Sequence, residues 1–67
     1  MDPQATWNDL LDACEQGDRE TAADAAQALR DWLERDGFPP QTQPGRTLDD
    51  ALNRAIAEAV CRHVIAE

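Results

Sequence analysis

The sequence predicts an all-α domain of three helices: an antiparallel helical hairpin and a C-terminal helix. Two observations carry this. Apolar residues recur at helical spacing over residues 3–16, 18–36 and 48–66, and helix start and stop signals stand at the boundaries of these stretches. The chain of 67 residues is one small domain, short enough that its core supplies little excess stability.

Asp2 followed by Pro3 reads as an N-cap with proline at the first helical position, where its missing N–H costs nothing. Trp7, Leu10, Leu11 and Cys14 then recur at i, i+3, i+4 and i+7, a narrow apolar stripe that buries one face. Gly17 closes this helix and Asp18 caps the next, so the connection allows only a fold-back. In the second helix Ala22, Ala25, Ala26, Leu29, Trp32 and Leu33 share one face, and Glu20, Asp24, Gln27, Asp31 and Glu34 share the other. The alanines invite close approach of a neighbouring helix. Trp32, at the edge of that arc, is expected half-buried with its indole N–H on a polar partner. Gly37 is the expected left-handed cap, with Phe38 against Leu33, and Pro39 and Pro40 bar continuation.

A loop over 37–47 follows, expected to lie ordered over the end of the hairpin. Thr47 reads as the N-cap of the third helix, with Asp50 three residues on. Leu48, Leu52, Ile56, Val60 and Val64 form an i, i+4 ridge, and Asp50, Arg54, Glu58 and Arg62 a ladder of alternating charge. With Ala51 and Ile65 this helix is apolar around more than half its circumference, more than one hairpin readily covers. Either this helix lies in a deep groove or its far side packs against a second copy; the favoured expectation is a homodimer that completes a helical bundle, with Ile56, Val60, Val64 and Ile65 at the self-interface.

A composition of 42% hydrophobic and 30% charged residues is globular rather than disordered. No apolar run is long enough to span a bilayer and the N-terminus has no signal-peptide pattern, so a cytoplasmic protein is expected, with no membrane partner. The net charge is −8, of which residues 1–36 carry −7. Such a field repels phosphate backbones, which argues against direct nucleic-acid binding and favours a basic protein partner. The ridge of Asp9, Asp12, Glu20, Asp24, Asp31 and Glu34 is the candidate partner surface; Glu20 and Asp24 repel each other at i, i+4, a strain that a basic partner relieves.

No reaction is legible. A metal site would draw on Cys61, His63 and Glu67 or Cys14, but Cys-x-His points its ligands apart on a helix, and no CxxC or HExxH spacing occurs. No serine nucleophile exists. Cys14 lies mid-stripe as an inert buried thiol, and Cys61, nearer a polar edge, is the more reactive of the two. His63 reads as a helix-end histidine near Leu52 and Ile56. No catalytic residue, metal or cofactor is therefore assigned. The chain reads as a small non-enzymatic interaction or adaptor module, with an acidic inhibitor or regulator of a basic protein, antitoxin-like or a nucleic-acid mimic, as the alternative.

Two resemblances attach to these residues. Trp7, Leu10, Gly17, Ala22 and Leu29 are loosely similar to a tetratricopeptide helix pair, which implies hairpin geometry alone. Met1-Asp2-Pro3, the Gln16-Gly17-Asp18-Arg19 turn and the run from Asp31 to Pro40 resemble a group of short bacterial proteins that end a helical hairpin in a Trp-Leu…Gly-Phe-Pro-Pro signature. That resemblance covers about the first forty residues. It implies a hairpin and brings no activity, cofactor or catalytic residue.

Overall fold

An aspartate opens each helix. The computed structural model describes residues 1–66 and contains α1 (Pro3–Gln16), α2 (Arg19–Glu34) and α3 (Asp50–Ala66), with no strand among the described residues. Asp2 Oδ1 accepts the backbone N–H groups of Gln4 at 3.0 Å and Ala5 at 3.2 Å. Asp18 Oδ1 accepts that of Thr21 at 3.1 Å, and Asp49 Oδ1 that of Leu52 at 2.8 Å. Each cap satisfies donors that a helix start leaves without intrahelical partners.

The third cap corrects the expected start of α3. Thr47 does not cap it, and the helix begins two residues later than the apolar ridge suggests. Leu48 is held in the loop instead: the Gln41 side chain accepts its N–H at 3.0 Å and donates to its carbonyl at 3.3 Å. A residue whose backbone is engaged this way cannot open the helix.

The end of α2 is corrected as well. Gly37 N–H bonds to Trp32 O at 2.9 Å and Asp36 N–H to Leu33 O at 3.1 Å, the paired bonds of a Schellman cap. The left-handed residue is Asp36, at φ 63°, and the helix ends at Glu34. Aspartate tolerates this conformation better than most side chains. Gly37 serves a different purpose: a Cβ there would lie inside the Trp32 indole ring. That ring is half-buried and donates from Nε1 to Phe38 O at 2.8 Å, as the sequence predicted for its indole. Phe38, expected against Leu33, meets Trp32 edge-to-face at a centroid distance of 5.6 Å and stays 62% exposed.

α2 is the middle helix, packed against both α1 and α3. Arg54, early in α3, donates to Leu33 O at 2.9 Å and Gly37 O at 2.8 Å, at the end of α2. Val64 and Ile65, late in α3, stand beside Gly17 and Ala22. The helices therefore run up, down and up. Arg54 thus bonds to α2 and its cap rather than forming a rung of the expected charge ladder.

Trp7, Leu10 and Ala13 from α1, Ala22, Ala26, Leu29 and Leu33 from α2, and Ala57 and Cys61 from α3 form the core. The most buried line of α3 is Asn53, Ala57 and Cys61, not the predicted ridge from Leu48 to Val64; Leu52 is 48% exposed. Asn53 is fully buried. Its Oδ1 accepts from the Thr42 backbone N–H at 3.1 Å and hydroxyl at 2.9 Å, and its Nδ2 donates to Leu48 O at 3.1 Å. These bonds, with the burial of Pro39, Pro40 and Thr42, hold the loop over the bundle's end.

Two substitutions probe these joints in urea unfolding followed by circular dichroism. Gly37→Ala forces the indole aside and costs about 1–3 kcal/mol. Asn53→Ala leaves the Thr42 N–H and hydroxyl without an acceptor and costs about 2–3 kcal/mol.

Candidate functional site

The structure divides the predicted acidic ridge. Asp9 and Asp12 on α1 and Asp24 on α2 border one shallow groove between the hairpin helices, together with Asp18, floored by Ala13 and Ala25. Asp31 and Glu34 lie near the other end of α2 beside Arg35. Glu20 is exposed in the first turn of α2 and borders neither recess. The far pair is partly engaged: Asp31 accepts from Gln27 Nε2 at 3.0 Å, and Glu34 pairs with Arg30 at 3.2 Å. Among the described residues the carboxylates of Asp9, Asp12, Glu20 and Asp24 have no such partner.

Asp18 was legible only as a helix cap, yet it is the acid at the mouth of the groove. The Thr21 hydroxyl and backbone N–H hold its carboxyl below the usual carboxylate range. It stays ionised where it faces the groove.

Next to that groove, at the α1–α2 turn, is an apolar notch of about 430 Å³. Ala13, Ala22 and Ala23 form its hairpin wall and Val64 and Ile65 the α3 wall, with Arg19 and His63 also on its border. It exists because alanines and Gly17 stand opposite the last turn of α3, where larger side chains would have closed the gap. Sequence reading found the alanines but not what they face.

The notch reverses the expectation for the two thiols. Cys14 is exposed on its border, because α1 turns Pro3, Trp7, Leu10 and Ala13 inward and leaves Leu11 and Cys14 outside that line. Cys61 is fully buried in the line that α3 turns toward α2. Burial pushes the Cys61 thiol up from the ordinary 9.0 to about 11. Neither cysteine is in a disulfide. His63, expected near Leu52 and Ile56, is an exposed residue of the last turn of α3.

Ile56, Val60, Val64 and Ile65, the predicted self-interface, are all half-buried and pack against the core. The chain's accessible surface of 4359 Å² is close to the ~4,200 Å² of a compact monomer of this mass. Much of the apolar arc of α3 is thus covered from within. Among the described residues no three His, Cys, Asp or Glu side chains are grouped to hold a metal ion; Glu67, considered as a ligand above, lies outside the described residues. No helix among them is long and apolar enough to cross a membrane.

The thiol arrangement has a measurable consequence. Folded protein should react with a thiol reagent at Cys14 and at Cys61 only after unfolding. Since the folded state holds the Cys61 proton more tightly, stability is fully present below pH 9 and is lost as pH rises through about 11. The loss is on the order of 2 kcal/mol, and Cys61→Ala removes that pH dependence. The chain has no lysine and no tyrosine to obscure the window.

Comparison with protein-family models, curated proteins and solved structures finds no match to this chain.

Proposed function

We propose that this protein is a small interaction module, acting by binding another protein rather than by catalysis. The observation that carries the reading is the pairing, at one end of the bundle, of an apolar notch with a groove bordered by four aspartates, three of them without a side-chain partner. Such carboxylates carry a cost of mutual repulsion that a cationic surface relieves.

A second reading narrows the first. Asp9, Asp12, Asp18 and Asp24 around one groove favour an acidic inhibitor or regulator that occupies the site of a basic protein. This form depends on charge and weakens steeply with salt, whereas docking on apolar surface alone does not.

The two are separated by retention. Immobilised protein is exposed to an extract of the cells that make it, with the triple variant Asp9→Asn, Asp12→Asn, Asp24→Asn in parallel. A partner kept by the parent, released by salt and lost from the variant supports the regulator reading; one that resists salt supports an adaptor; recovery of the chain alone overturns both. Light scattering across concentration accompanies the experiment. A single-chain mass is expected, and a two-chain mass would place a second copy on α3 as the homodimer reading requires.

A further inference from the structure

We infer that the notch at the α1–α2 turn docks an amphipathic segment of a basic protein, its apolar side chains seated against Ala13, Ala22, Ala23, Val64 and Ile65 and its cations reaching the neighbouring aspartates. This rests on the interaction-module reading and names the surface and chemistry of the partner. The walls are mainly aliphatic, with Asp18, Arg19 and His63 also on the border, and a volume of about 430 Å³ suits a few apolar side chains. Ala13 and Asp18 belong to both the notch and the acidic groove, so the two recesses are continuous. A segment leaving the notch over Asp18 meets Asp12, Asp9 and Asp24, with no cation among the residues that border the groove.

Charge selects among occupants. A second copy of this chain brings another net −8 to a hairpin that already carries −7, so self-docking works against repulsion. An anionic lipid surface or a nucleic acid meets the same field. An apolar, uncharged ligand uses the notch but gains nothing from the groove. A segment with apolar residues on one side and arginine or lysine on the other uses both.

The test uses the full chain, isotopically labelled, and three synthetic helical peptides. One carries leucines along one side and arginines elsewhere, a second has the same composition with the leucines scattered, and a third replaces arginine by glutamate. The first should shift the backbone amides of residues 13–23 and 63–65 and bind about tenfold tighter than the second; the third should not bind. Ala23→Phe, at a half-exposed wall position, should weaken the first peptide about tenfold with the circular dichroism unchanged. Asp12→Asn with Asp24→Asn should flatten the salt dependence and leave the fold intact. Equal binding of the scattered peptide, or shifts confined to Phe38 or Leu52, overturns the inference. If the extract yields a partner that the first peptide does not displace, the notch assignment fails alone; if no partner is retained, the module reading fails with it.

Discussion

The structure depends on one constraint, that α2 must serve two neighbours with a face built largely of alanine. Ala22 and Ala26 are buried in α2 beside Leu29 and Leu33, and the other large apolar residues of the core are Trp7 and Leu10 from α1. From α3 the fully buried contribution is Asn53, Ala57 and Cys61. Small residues let helices approach closely but remove little apolar area from water. The bundle therefore relies on directional bonds to fix its third helix: Arg54 on two carbonyls at the end of α2, and Asn53 on the loop. Polar groups buried in this way stabilise only when every one has a partner, and no buried side-chain polar atom lacks one among the described residues.

What was legible in the sequence was local. The caps at Asp2 and Asp18 and the break at Gly17 are decided by residues within a few positions of one another, and the hairpin follows from them; the stripe of α1 was half legible, since Trp7 and Leu10 are buried but Ala13 takes the place expected of Leu11 and Cys14, which are exposed. The register of α3 was not legible. An asparagine within an apolar pattern reads as a break in the stripe, and only the loop's backbone at Thr42 makes position 53 an interior one. Likewise Leu48 looked like the first ridge residue of a helix until Gln41 engaged its backbone from seven positions away. The left-handed residue fell at Asp36 because the indole of Trp32 had claimed the space above Gly37.

The candidate site shows the same limit. Each acid of the ridge was visible, but their division into a groove with Asp18 and a separate pair at Asp31 and Glu34 depends on how α1 lies against α2. Whether a thiol is covered depends on what stands across from it, which periodicity does not report. Cys14 is exposed because the buried line of α1 passes through Ala13 instead, a shift in facing that depends on how α1 lies against α2. Emptiness between helices is a property of pairs of elements, and a single helix wheel has no means to show it.

The amide pair between Gln4 and Gln41 has a consequence for how the molecule opens. Gln4 Nε2 donates to Gln41 O at 3.1 Å and Gln4 Oε1 accepts the Gln41 N–H at 2.9 Å, a two-bond clasp across 37 positions of chain. Gln41 in turn holds Leu48, just ahead of α3. Fraying of the first turn of α1 therefore removes one fastening of the loop and leaves its hold on Asn53 in place. Local opening at either terminus of this clasp is thereby coupled to the other, whereas the turn at Gly17 is held by bonds between near neighbours, Gly17 N–H to Cys14 O and Asp18 N–H to Ala13 O.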